Sequence, residues 1–387
     1  MNVWQECVGG LTELDLSCTI LLGGRKEVGL EEVWQMSLKP LNRGPYSYME
    51  QAIYTTLTRM LCKATELRTL VMKCSYLGNV GAYAIGTSLK HMPSITHLDL
   101  SGNIICWKGG CVLGQNLMHM TSLQSLNLEF NRLGEQGATG LSIGLRRCTT
   151  LRVLKLGSNE IEDQGAELIL QAVGKLVEIR ELSLKSNGLM LPGGAAAGHA
   201  LQNTRLMCKL DLSGVSLYDE GASFVANSFH CMPLLESLDL SVNTIEDDGM
   251  VDIAINLRHL SNLHTLNLSH NRMGYVSIRA NVNFRKPFES TPHLIADSTF
   301  NRIDGAFAVA ASFRYMPNLK KAEMAFNPTT LQGAIAFANT LSYMTYLRHL
   351  NLTSCVLSMG EVLQLREAVD RARGIEASLE IDDRFLL

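Results

Sequence analysis

"LRVLKLGSNEIEDQGA", residues Leu151 to Ala166, decides how the rest of the chain is read. Its skeleton returns as "LQSLNLEFNRLGEQGA" from Leu123 and as "LESLDLSVNTIEDDGM" from Leu235. The frame starts fall at Leu67, Ile95, Leu123, Leu151, Ile179, Met207, Leu235, Leu263, Thr291, Leu319, Leu347 and Ile375, each 28 residues after the last. A glycine stands fourteen residues into most frames, as at Gly109, Gly137, Gly165 and Gly249. A fixed period of this length marks stacked structural repeats, so the expected architecture is one elongated array rather than the two or three globular domains that length alone suggests.

Each frame divides into two physical halves. Leu151, Leu154 and Leu156 mark the buried side of a short strand, flanked by residues of the opposite face. Asn159 turns the chain, and its amide can satisfy backbone groups that the turn leaves unpaired, so stacked asparagines form a ladder. Gly165 and Ala166 open a helix whose apolar positions are Ile169 and Val173, and the acids Glu162 and Asp163 meet the positive end of its dipole. A lone unit cannot bury its apolar face, so stability comes from stacking on neighbours. The fold class expected is α/β, a solenoid with a concave parallel sheet and convex helices.

The phrase LxxLxLxxNxIxxxGA at this period resembles the ribonuclease-inhibitor-like leucine-rich repeat family, from about Leu67 to Ile381, with degenerate copies reaching back to Leu11. That resemblance implies a horseshoe-shaped solenoid. It implies no single activity, because the scaffold hosts many functions.

The expected organisation is a cap with irregular repeats over 1–66, regular repeats over 67–374, and a capping strand and tail over 375–387. "LTELDLSCT" from Leu11 is a good strand, but the next good frame start lies two periods later. Between them stands an irregular repeat carrying Arg25, Lys26, Trp34, Arg43 and Tyr46. A second irregularity follows Leu263, where Ser277 replaces the glycine and Asn281 and Arg285 occupy positions that are apolar in neighbouring helices. Burying Arg285 unpaired would be costly, so the segment from Gly274 to Pro292 is expected to leave the regular helix. Arg279, Phe284, Arg285, Lys286 and Phe288, together with Trp34, Arg43 and Tyr46, form candidate partner-binding surfaces, since interfaces favour aromatic area beside cations.

The solvent-facing strand positions are the third, fifth and seventh of each frame. Across the twelve frames from Leu11 to Leu347, the irregular second repeat aside, none is Trp, Tyr, Phe or Arg. Small polar residues dominate, which suits a solvated face of evenly stacked strands. The alternative is a polar site for a partner's tail, with Lys155, Lys185 and Lys209 as a basic cluster beside Asp211 and Asp239.

Reactive chemistry is poorly represented. The net charge of −3 offers no bulk attraction for nucleic acid or an anionic membrane. No apolar run reaches the length of about 20 residues needed to span a bilayer, and the first residues do not read as a secretory signal. The ten cysteines include no CxxC pair, so free thiols in a reducing cytoplasm are expected, with no structural metal and no cofactor. "EDDG" from Glu246 repeats a helix-start position rather than marking a metal loop, and His91, His119 and His259 fall at helix ends. The sequence therefore points to a non-enzymatic protein–protein interaction scaffold or a structural subunit of a larger assembly, with other proteins as partners. A GTPase regulator resembling Ran GTPase-activating proteins is the alternative.

Overall fold

The structure is a computed structural model in which residues 11–17, 54–274, 304–341, 343–353, 360, 363–364, 367 and 378–380 are described. Contacts group the chain into two compact units, Met1–Gly188 and Leu189–Leu387. The first unit holds β1 (Glu13–Asp15), helical residues 54–61 (α1), β2 (Thr69–Val71), α2 (Gly78–Ser88), β3 (His97–Asp99), α3 (Trp107–Leu117), β4 (Ser125–Asn127), α4 (Gly134–Leu145), β5 (Val153–Lys155), α5 (Asp163–Val173) and β6 (Glu181–Ser183). The second holds α6 (Met190–Leu201), β7 (Lys209–Asp211), α7 (Tyr218–Ala226), β8 (Ser237–Asp239), α8 (Asp247–Leu257), β9 (Thr265–Asn267), α9 (Gly305–Ser312), β10 (Lys321–Glu323), α10 (Leu331–Thr340), β11 (His349–Asn351) and β12 (Ser378–Glu380).

Within each unit, successive strands pair in parallel. The α/β solenoid expected from the period is what forms. The central strand leucines, such as Leu154 and Leu238, point into the core beside Leu151, Leu156, Leu235 and Leu240, all fully buried. Helices cover that side and pack on their neighbours. Glycine permits the closest approach: a Cβ on Gly144 of α4 would overlap the Gly114 carbonyl of α3. Alanine there would gain about 1 kcal/mol of helix propensity, but the backbone overlap outweighs it.

The asparagine ladder is the polar half of the core. Asn243 Oδ1 accepts the Val215 and Leu217 N–H groups at 3.0 and 3.3 Å, while its Nδ2 donates to the Leu212, Leu240 and Ser241 carbonyls. Asn103, Asn131 and Asn187 repeat this pattern in the first unit, each fastening its own turn to the repeat before it. Asn159 differs. Its Nδ2 donates to the Leu128, Leu156 and Gly157 carbonyls, but its buried Oδ1 has no hydrogen-bond partner among the described residues.

Strand register corrects one expectation. Most pairs join residues 28 apart, as in Leu98 with Leu126. Thr265 of β9, however, pairs directly with Lys321 of β10, 56 residues on. The frame at Thr291 therefore supplies no strand between them. The same double step joins Glu13 to Thr69, across the irregular second repeat. In both places the sheet skips one period while the sequence phase is preserved.

The splice after β9 can be located from hydrogen bonds. In a regular repeat, Asp219 Oδ1 accepts the Glu246 N–H at 2.7 Å, and the Gly249 N–H also bonds to this carboxylate. One repeat later Asp247 Oδ1 accepts the Gly274 N–H at 2.8 Å and the Gly305 N–H at 2.9 Å. The first donor belongs to the frame of Leu263 and the second to the frame of Thr291. The two donors, one on each side of residues 275–303, are thus held on one oxygen, and Asp304 Oδ1 caps α9 through the Ala306 and Phe307 N–H groups. These contacts also refine the role of the helix-start acids. Asn79, Asp219 and Asp247 each cap the start of the following repeat's helix rather than only their own.

Replacing Asn243 with Ala strands the Val215 and Leu217 N–H groups and should cost about 1–3 kcal/mol in urea unfolding. Asn159→Ala should cost less, because no N–H group relies on its Oδ1. Equal losses, or a larger loss at Asn159, would contradict the ladder assignment.

Candidate functional site

The polar face of the sheet is the surface that the sequence offered as a tail-binding site. In the first unit Lys155 Nζ lies 2.7 Å from Glu181, and Lys185 Nζ lies 3.0 Å from Glu129. Burial would lower the pKa of the Lys155 ammonium, but the hydrogen bond to Glu181 and the charges of Glu181, Glu129 and Asp99 hold it above the ordinary lysine value. Lys73 pairs with Asp99 at 3.2 Å, and Asn127 donates to the same carboxylate at 3.1 Å. Lys155 and Lys185 are consequently members of local ion pairs, not a basic cluster awaiting an anion.

Lys209, Asp211 and Asp239 fall in the second unit. Asp211 stands directly opposite Asp239 in the strand register, and Lys209 stands opposite Ser237. Asp211 Oδ1 accepts both the N–H and the hydroxyl of Ser213, and Asp239 Oδ1 does the same with Ser241. Asp239 Oδ2 accepts from Asn267 at 2.9 Å. The acids therefore close the turn after their own strand, a local use of Asp that competes well with ligand binding. Further along, Glu323 contacts Lys321 and His349, each at 2.9 Å. Burial opposes its ionisation, but these partners and Asn351 hold its pKa below the ordinary carboxylate value.

Arg279, Phe284, Arg285, Lys286 and Phe288 lie outside the described residues, as do Trp34, Arg43 and Tyr46. The structure adds a row that counting three strand positions missed. Among the described residues, the eighth residue of each frame adopts positive φ, including Phe130 (φ 55°), Val242 (φ 59°), His270 (φ 55°) and Phe326 (φ 56°). Such a conformation is unfavourable for bulky or branched residues. Phe130 and Val242 are nevertheless more than half exposed, at 57% and 55%. Lys185 Nζ sits 5.4 Å from the Phe130 ring centroid, and His270 stacks on Phe326 at 4.2 Å. The signal was legible as apolar residues where neighbouring frames carry Gly or Ser.

The described cysteines 62, 74, 106, 111, 148, 208 and 231 are free thiols. Among the described residues no cluster of His, Cys, Asp or Glu could hold a metal ion, and no helix is long and apolar enough to cross a membrane.

A profile for the Leucine Rich repeat matches residues 119–142, 147–170, 231–254 and 259–280. This is a leucine-rich repeat protein. No curated protein matches its sequence. Among solved structures, the repeat protein is similar to TLR13 in a TLR13–ssRNA13 complex, at 18% identity and a TM-score of 0.43, over 77% of this chain and 42% of that one. It is also similar to an internalin (inlF) of Listeria monocytogenes, at 17% identity and a TM-score of 0.41, over 77% and 84% of the two chains. The repeat protein thus spans less than half the length of that TLR13 chain.

The helix-start acids give the described region a pH response. Burial raises the pKa of Asp247 to about 6, against the lowering effect of the Gly274 and Gly305 N–H groups, and burial raises Asp219 as well. A carboxyl whose folded pKa lies above its unfolded value of 3.8 binds more protons when folded. Its contribution to stability therefore declines as pH rises from about 4 to about 6, then levels. Asp247→Asn keeps the acceptor without the charge. Relative to Asp247→Asn, the melting temperature of the unaltered protein should fall across that window and stay level above it. Parallel melting profiles would show that Asp247 is not the group responsible.

Proposed function

We propose that the protein is a non-enzymatic docking scaffold, a fixed part of a protein assembly in the cytoplasm, and that its class within the family is the ribonuclease-inhibitor-like one. The observation that carries this reading is the contrast along the sheet. Its polar side chains are engaged with one another in a pattern repeated from frame to frame, while Phe130, Val242 and Phe326 stand exposed at positive φ beside it. Beyond the contacts of Phe130 with Lys185 and of Phe326 with His270, exposed apolar residues in an unfavourable backbone conformation gain little from folding, and a protein partner that covers them adds to it. The 28-residue period with helices opposite the sheet supports the subclass, and the free thiols support a reducing compartment.

Affinity capture from a native extract, followed by chemical cross-linking and mass spectrometry, tests the scaffold. The expected result is a reproducible partner present in near-stoichiometric amount and lost when Phe130 and Phe326 are changed to Ser without a fall in melting temperature. A protein that captures nothing above a mock control, and that runs alone at its monomer mass in extract, would contradict the proposal.

A further inference from the structure

We infer that the helix-to-strand turns of the second unit bind an acidic segment of a partner protein through Arg258 and Arg314, flanked by Tyr315, Tyr343 and Tyr346. This rests on the scaffold reading and deepens it by assigning a surface and a partner chemistry.

The turns concerned are residues 257–264, 312–321 and 340–349, which contain five Lys or Arg residues and no Asp or Glu. They are neighbours in space. Asn318 Nδ2 donates to the Ser261 carbonyl at 3.1 Å, and the Arg348 N–H donates to the Lys320 carbonyl. Arg258 and Arg314 are exposed, and among the described residues neither has a carboxylate within ion-pair distance. Arg314 instead donates to the Tyr315 hydroxyl at 2.8 Å, with its guanidinium 4.7 Å from that ring's centroid. The three tyrosines are 42%, 49% and 54% exposed.

The fold does not require these residues. The positions equivalent to Tyr315 and Tyr343 carry His91, His119, Arg147, Lys175, Asn203, Cys231 and His259, and those equivalent to Tyr346 vary from Ser94 and Thr150 to Glu178, Leu234 and Asn262, with no other tyrosine among them. A helix C-terminus favours a nearby cation, which accounts for one basic residue per turn. It accounts for neither the tyrosines nor Lys320 at the strand entrance. Tyr and Arg are the side chains on which interface affinity concentrates. The opposite ends of α8 and α9 carry acids, namely Glu246, Asp247, Asp248 and Asp304. The charge is thus segregated across the unit, and a net charge of −3 conceals a basic rim. An acidic protein segment answers that rim, whereas a long polyanion would also meet the acidic side.

The test uses the full chain and fluorescence anisotropy with three probes: a labelled Glu-rich peptide of about twelve residues containing leucines, its Gln counterpart, and oligouridine of similar length. The Glu peptide should bind at least about tenfold more tightly than the Gln peptide. Arg258→Glu with Arg314→Glu should remove that preference, and Tyr343→Ser with Tyr346→Ser should weaken binding of the Glu peptide. Lys155→Gln with Lys185→Gln should leave it unchanged. If charge reversal lowers the melting temperature, Arg258→Gln with Arg314→Gln serves in its place. No preference for Glu, a preference untouched by the arginine variants, or tighter binding of oligouridine would each overturn the assignment. Equal capture of the same extract partner by the unaltered protein and the arginine variant would overturn it while leaving the scaffold reading intact.

Discussion

A turn that cannot satisfy its own backbone must borrow an acceptor from the next repeat, and that dependence organises this protein. The asparagine of one frame accepts two N–H groups of the preceding frame while donating to carbonyls of both. Because those groups are buried, a missed bond costs as much as a sizeable share of a domain's net stability. Neighbouring turns must therefore superimpose, and the leucines of neighbouring strands then meet at the same depth. The period is enforced by polar satisfaction as much as by apolar packing.

The same requirement explains how the array tolerates a departure. Where the register steps by two periods, the ladder is not broken: the Met273 N–H bonds to Asn327 Oδ1, and Asn327 Nδ2 reaches back to the Leu268 carbonyl. Asp247 gathers the N–H groups on either side of the gap onto one oxygen. An extra 28 residues can thus be carried between two positions that the cap holds close together, and β10 and β11 stay in phase, whereas β12 pairs with β11 one residue further on, His349 opposite Ser378.

Much of the fold was legible because a repeat averages its own noise. Strand, turn and helix positions inferred for Leu151 recur at Leu123 and Leu235, and the weak copy at Ser378 still forms a parallel strand beside β11. What periodicity could not reveal was which frames enter the sheet, since the skipped segment has the same length as the repeat and leaves the phase unchanged. Arg285 and Ser277 marked the place chemically, but Thr291 continued the count. The candidate site was less legible. Lys155 and Lys185 looked like a cluster because their partners come from other frames, Glu181 one strand away from Lys155 and Glu129 two strands away from Lys185. The tyrosine-rich turns were not legible because Tyr315 comes from one turn and Tyr343 and Tyr346 from the next, and only stacking of the repeats brings them together.

The double step in register is the claim on which the placement of every element after β9 depends. Parallel strands lie about 4.8 Å apart, within the Cα separations that a disulfide spans. Thr265→Cys combined with Lys321→Cys should therefore cross-link rapidly under mild oxidation, as directly opposed residues of β9 and β10. Thr265→Cys combined with His293→Cys should not. Efficient cross-linking of the second pair and failure of the first would place the frame of Thr291 in the sheet and contradict the account.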